Sequence, residues 1–122
     1  MGETGKRIVL VGHCGPDSYA LRSAIGSAVP GAKIEFANDE EAAIKAAAEG
    51  ALLLINRELD GGFATDGLGL VAKLAGATKV MLISNYEDAQ AASEKAGALP
   101  GFGKRGMYSE EAKERLRGAV GG

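Results

Sequence analysis

Apolar positions along the chain fall into short runs punctuated by Gly and Pro, and these alternate with longer segments of helical period. That is the pattern of a parallel sheet covered by helices on both faces. Residues 8–11 are continuously apolar, with Ile8, Val9 and Val11 β-branched, as a strand buried on both faces requires. Asp17 or Ser18 is expected to cap a following helix whose Leu21, Ala24, Ile25 and Ala28 share one stripe, ended by Pro30 and Gly31. Ile34 and Phe36 alternate with Lys33 and Glu35, which predicts a half-exposed strand near a sheet edge. Asn38 and Asp39 can cap an alanine-rich helix over 40–49, with acids in its first turn where the macrodipole favours them and Gly50 at its end.

Residues 52–55 form a second wholly apolar strand, followed by a loop over 56–66 containing Gly61 and Gly62, and then a helix holding Leu68, Val71 and Leu74. The usual strand-to-helix connection has about two to six residues. A loop of greater length at a strand end points to function. Residues 80–83 supply a third buried strand, and Asn85 is expected to cap a polar helix over 86–96 whose inner face is mostly alanine. Residues 99–103 read as a strand only at an edge, because Pro100 cannot donate to a ladder. Ser109 caps a last helix in which Ala112, Leu116, Ala119 and Val120 share a face. Five strands and five helices in strict alternation, with right-handed crossovers, predict an α/β three-layer sandwich of flavodoxin-like order 2-1-3-4-5. One domain over 1–122 is expected, with any site beyond the carboxyl ends of strands one and three.

Composition narrows the chemistry. The 122 residues carry 14 Lys plus Arg against 16 Asp plus Glu, a near-balance that argues against nucleic-acid binding. Three Tyr, three Phe and no Trp leave little to stack on bases. At this length a fold buries roughly two-thirds of its unfolded surface, enough for a core without staples. The single cysteine, Cys14, cannot form an internal bridge. No apolar run approaches the roughly 20 residues that span a bilayer, and the N-terminus lacks a signal-peptide core, so a cytoplasmic protein without membrane contact is expected.

The residues just after each apolar run are Gly12, His13 and Cys14, then Asn56, then Ser84 and Asn85, then Lys104. With Met81-Leu82-Ile83-Ser84 before a short helix, Gly97-Ala98, and Lys104 after the last strand, the sequence resembles the receiver domain of two-component response regulators over nearly its whole length. The resemblance implies that Ser84 and Lys104 occupy the positions that contact a phosphoryl group in that family. It also implies that Asn56 stands where the family has its phosphoacceptor Asp, and Gly12 and His13 where it has its magnesium-binding acids. An amide is too weak a nucleophile to replace a carboxylate. Magnesium prefers carboxylate and phosphate oxygens, which a glycine and an imidazole do not supply.

Further departures are Arg105 where the family has Pro, Gly101 three residues before Lys104 where it often has an aromatic, and the longer loop after Asn56. Together they imply a pseudo-receiver: a degenerate phosphorylation site of Gly12, His13, Asn56, Ser84 and Lys104 in an interaction module. Such a module is no enzyme and needs no metal or other cofactor. Its expected partner is a signalling protein, with a homodimer also open, and Lys104 is expected to bond Asn56, Ser84 or loop oxygens. The resemblance places the interface on the face of the fourth helix, fifth strand and fifth helix, with Phe102, Arg105 and Tyr108 as candidates, against the equal reading of Phe102 as core and Tyr108 as a surface ring.

Cys14 offers another chemistry. It precedes Gly15-Pro16-Asp17-Ser18 between a strand and a helix N-terminus, where amides and the macrodipole can lower a thiol pKa. This resembles the phosphocysteine loop of sugar phosphotransferase IIB components, although Pro16 removes a donor and Asp17 would repel a phosphate. A partly buried thiol acting as a small apolar group is the plainer expectation. His13 is expected to be structural, since no second His or Cys completes a tetrahedral set. Glu58, Asp60 and Asp66 could hold a cation or, for Asp60, a displaced phosphoryl group, against the simpler reading of solvated loop charge. Lys104, Arg105, Lys113, Arg115 and Arg117 are interleaved with Glu110, Glu111 and Glu114, so their field largely cancels.

Overall fold

The computed structural model describes residues 7–121. Strands β1 (Arg7–Val11), β2 (Lys33–Ala37), β3 (Leu52–Asn56), β4 (Val80–Ile83) and β5 (Leu99–Phe102) form one parallel sheet in the order β2-β1-β3-β4-β5. Helices α1 (Gly15–Ala28), α2 (Glu40–Ala48), α3 (Gly67–Leu74), α4 (Glu87–Lys95) and α5 (Glu110–Gly121) alternate with them, giving the predicted flavodoxin-like architecture.

Successive strand residues point to opposite faces, so each apolar run feeds two cores. Leu10, Leu54 and Met81 pack with Leu21, Ile25 and Leu116 of α1 and α5. Val9, Val11, Leu53, Ile55 and Leu82 pack with Ala43, Leu70, Val71 and Ala89 of α2, α3 and α4. Each Val, Leu, Ile or Met among them contributes about 1.5–3 kcal/mol by leaving water. Register then aligns the carboxyl ends. Val11 lies opposite both Ala37 and Ile55, and Asn56 lies opposite Ile83, which sets Gly12, Asn56 and Ser84 along one rim.

The edge strand is irregular for an identifiable reason. Met81 pairs with Leu99 but Ile83 pairs with Phe102, so β5 carries one extra residue. The side chain of Gln90 in α4 supplies the missing ladder partners: Nε2 donates to the carbonyls of Leu82 at 2.9 Å and Ser84 at 3.1 Å, and Oε1 accepts from the amide of Gly101 at 3.2 Å. Arg115 of α5 donates to the carbonyl of Gly101 from the other side. A bulge fastened this way lets a strand containing Pro100 remain in the sheet.

Two helix starts differ from expectation. Helix α1 begins at Gly15 with Cys14 at its N-cap, without a side-chain cap and with Pro16 in the first turn, where the missing N–H costs nothing. Ser18 instead donates its hydroxyl to the carbonyl of His13 at 3.3 Å. Helix α4 has Tyr86, not Asn85, at its N-cap. Asn85 accepts from the amide of Arg105 at 3.1 Å, and Ser84 Oγ accepts from the amide of Tyr86 at 3.2 Å. The other two caps follow the sequence: Asp39 accepts from Ala42 at 2.8 Å and Ser109 from Ala112 at 3.1 Å.

Phe102 requires a correction as an interface residue. It is only 6% exposed and belongs to the core against α1 and α5, so it offers a partner no anchor. The basic residues of α5 are occupied within the fold. Arg117 donates to the carbonyl of Ala28 at the end of α1, and Lys113 and Arg115 pair with Glu110 and Glu111 along α5. Among the described residues no helix is long and apolar enough to cross a membrane.

Candidate functional site

Crossovers on both faces bring Gly12, His13, Cys14, Asn56, Ser84, Asn85 and Lys104 to the carboxyl end of the sheet. A cleft of about 360 Å³ opens between the ends of β1, β3 and β4 and the turn after β5, lined by Cys14, Asp17, Asn56, Ser84, Tyr86 and Lys104 among others. Lys104 opens the short 3-10 turn Lys104–Gly106 and reaches back into this cleft. Its Nζ donates to Asn56 Oδ1 at 3.3 Å, one of the expected partners, and more closely to Asp17 Oδ2 at 2.7 Å. The ammonium therefore keeps a carboxylate counter-charge, supplied by the first turn of α1. Lys104, and secondarily the thiol of Cys14, hold the Asp17 carboxyl below its ordinary pKa. The two partners stand 87 residues apart, a separation that hides their contact from any local reading.

Asn56 is bonded through all of its amide. Beyond the Oδ1 contact, Nδ2 donates to the carbonyl of Gly12 at 3.1 Å and to that of Glu58 at 2.7 Å. The loop after it folds back across the sheet: the amide of Asp60 donates to the carbonyl of Gly12 at 2.8 Å, and that of Gly62 to Asn38 at 2.9 Å. The amide of Glu40 completes the seam by donating to the carbonyl of Gly62 at 3.0 Å. Gly12 itself has φ +71°, and a Cβ placed there would lie 2.4 Å from Leu59 Cδ2. Leu59 thus fills the space into which a side chain at position 12 would project. Gly61, at φ +119°, lets the loop pass so close to β2 that a Cβ would meet the carbonyl oxygen of Asn38.

His13 turns away from the cleft and is only 5% exposed. Its Nε2 lies 3.0 Å from the carbonyl of Leu54, which makes it the protonated nitrogen, while Nδ1 is buried without a partner among the described residues. Burial, with a smaller contribution from the Lys104 charge, pushes its pKa down to about 4 against the support of the Leu54 bond. A magnesium ion wants oxygen ligands in octahedral array. A glycine whose outward direction is plugged by Leu59, an inward imidazole and an amide nitrogen facing carbonyls do not fit one.

The loop acids divide. Asp66 caps α3 by accepting from Gly69 at 2.8 Å, so it is not a free cation ligand, whereas Glu58 and Asp60 are exposed. Cys14 is half-buried at the N-cap of α1, beside the cleft that Asp17 also lines. Four residues of this region have roles here that the sequence did not assign them: Asp17, Leu59, Arg57 and Tyr86. The guanidinium of Arg57 lies 5.5 Å from the ring centre of Tyr86, closing one side of the cleft by a cation–π contact. Only Asp17, as an acid at a helix start beside the strand ends, carried a local clue.

The sequence matches no protein-family model and no curated protein at a significant level. Solved structures do match. A response regulator from Thermotoga maritima superposes with TM-score 0.73 at 19% identity, over 96% of this chain and 98% of that one. The RcsB response regulator of Salmonella typhimurium gives TM-score 0.73 at 15% identity, over 97% of this chain and 61% of that one. A response regulator from Burkholderia pseudomallei, solved with a phosphorylated aspartic acid and a calcium ion, gives TM-score 0.63 at 16% identity, over 94% and 66%. The chain spans less than two-thirds of the length of these last two. At such identities the likeness defines the fold, and the fold is that of response-regulator receiver domains.

Proposed function

We propose that this chain is a pseudo-receiver, a cytoplasmic signalling module that acts through protein contacts and is not phosphorylated at position 56. The observation that carries this reading is the bonding of Asn56, an amide where catalysis of phosphotransfer needs a carboxylate, with its nitrogen held by the carbonyls of Gly12 and Glu58. The partner is a signalling protein or a second copy of this chain, met on the face of α4, β5 and α5. Arg105 and Tyr108 are exposed there and mark the contact. Cys14 is a poorer candidate for phosphoryl transfer, because the Asp17 carboxylate beside it in the first turn of α1 repels a phosphate dianion. Incubation with acetyl phosphate and magnesium, followed by intact mass measurement, tests the reading. It predicts no adduct, and a phosphate on Asp60, Cys14 or any other residue overturns it.

A further inference from the structure

The loop after Asn56 is longer than a connection from β3 to α3 requires, and its extra residues are spent on one task. Three backbone bonds join it to the ends of β1 and β2 and the start of α2: Asp60 to Gly12, Gly62 to Asn38, and Glu40 to Gly62. Asn56 adds two side-chain bonds across the same seam. Leu59 lies over Gly12. We propose that residues 57–62 are a fixed strap over the β1–β2 side of the former phosphorylation site, with Asn56 as its cross-link and Leu59 as its plug, so that restoring an acid at position 56 does not make the chain phosphorylatable. The inference rests on the pseudo-receiver reading and deepens it: the site has been rebuilt, and more than one side chain stands between it and phosphotransfer.

Hydrogen-bond polarity is the core of the case. An aspartate at position 56 in the present geometry would put a carboxylate oxygen where Nδ2 now donates, facing two carbonyl oxygens at 3.1 Å and 2.7 Å. Acceptor against acceptor is repulsive; the Gly12 carbonyl keeps the Asp60 amide as donor, but the Glu58 carbonyl loses the donor that Asn56 supplies. Rotation of the carboxylate toward Lys104 relieves one contact and leaves the strap carbonyls without Asn56. On the other side of the seam, an acid at position 12 would need a Cβ in the space that Leu59 fills, so Leu59 and the strap backbone behind it would have to move. Both routes back to an acidic site meet the strap.

The test compares the wild-type chain with Asn56→Asp under acetyl phosphate and magnesium, reading intact mass and magnesium binding. Neither protein is expected to gain phosphate or to bind the ion. Phosphate on the wild type defeats the pseudo-receiver reading itself. Phosphate on Asn56→Asp alone defeats the strap and leaves that reading standing. Should Asn56→Asp not fold, hydrogen exchange on the wild type decides: the two Asn56 carboxamide protons are expected to exchange about tenfold or more slower than those of exposed Asn85. Equal rates would show that the cross-link does not exist. In Leu59→Ala the Asp60 amide is expected to exchange about tenfold faster while β3 and β4 are unchanged, and an unaltered Asp60 rate overturns the role given to the plug.

Discussion

The carboxyl end of the sheet has two halves built on opposite principles. Over β1 and β2 the strap lies on the strand ends, held by backbone bonds to Gly12, Asn38 and Glu40, with Leu59 over Gly12 and His13 turned into the core. Over β4 and β5 the cleft stays open, and Ser84, Asn85 and Lys104 make side-chain bonds at or near solvent. The open half keeps residue types that the receiver resemblance picks out. The closed half keeps none, because a site sealed by backbone bonds and an aliphatic plug no longer needs particular acids. In the proposed pseudo-receiver, the missing acids and the docked strap are two aspects of one arrangement.

The contrast is most exposed at Gly12. Gly12→Ala forces a side chain into left-handed backbone and against Leu59, and is expected to cost about 4 kcal/mol from backbone strain plus overpacking. Ser84→Ala on the open half removes one bond to the amide of Tyr86 and is expected to cost about 1 kcal/mol. Urea denaturation measures both. Equal losses would erase the difference between the halves.

Acid titration separates them next. Native His13 takes a proton only near pH 4, whereas the unfolded chain takes it near the ordinary value of 6.5. Between those values the unfolded state binds more protons, so stability is full above 6.5 and falls as pH drops toward 4, by about 3 kcal/mol in all. Asp17 on the open side works at lower pH: its depressed pKa contributes stability above the ordinary carboxylate range that is lost as pH falls through the native value. His13→Gln, which keeps a donor for the carbonyl of Leu54, is expected to flatten the slope between pH 6.5 and 4 and leave the steeper acid limb. An unchanged slope would place the titrating group elsewhere.

The two halves also differ in how far the sequence discloses them. Wholly apolar runs such as 52–55 and the caps Asp39 and Ser109 act through local chemistry, and the strands and helices followed from them. Ser84 and Lys104 were legible because strand ends place them. The strap was visible only as excess length and a Gly-Gly pair, since backbone bonds to Gly12 and Asn38 have no side-chain signature. Helix α1 was misread because Asp17 and Ser18 are good cap residues in isolation, yet a lysine 87 residues away claims Asp17. Phe102 stood open between core and interface, and the contacts of Gln90 and Arg115 with Gly101 that hold the bulge beside it are not local.

Lys104 tests whether the open half carries stability at all. It and Asp17 are partly exposed, with side chains 28% and 38% accessible, so solvent screens the pair. Lys104→Met is expected to cost about 0.5–1 kcal/mol, and the cost should shrink at high salt. A double-mutant cycle with Asp17→Asn reads the coupling directly. A loss comparable to that of Gly12→Ala would mean that Lys104 fastens the strap through Asn56 and that the halves are not independent.

The smallest expected effect on stability lies farthest along the open side, where it should coincide with the largest effect on binding. Tyr108 is 56% exposed and tethered only by its hydroxyl to the carbonyl of Ala20 at 3.3 Å. The Arg105 side chain is exposed, and only its amide is bonded, to Asn85. Removing an exposed ring and reversing an exposed charge, as in Arg105→Glu with Tyr108→Ala, should change unfolding by about 0.5 kcal/mol or less. Aromatic and Arg side chains at such positions are the usual anchors of interfaces, so the same pair should abolish association with the partner recovered by pull-down and mass spectrometry. Unchanged association in a folded double variant would move the contact off the α4–β5–α5 face. The strap would then be the next candidate, because Glu58 and Asp60 are exposed there on a backbone already held in one shape and lose little entropy on docking.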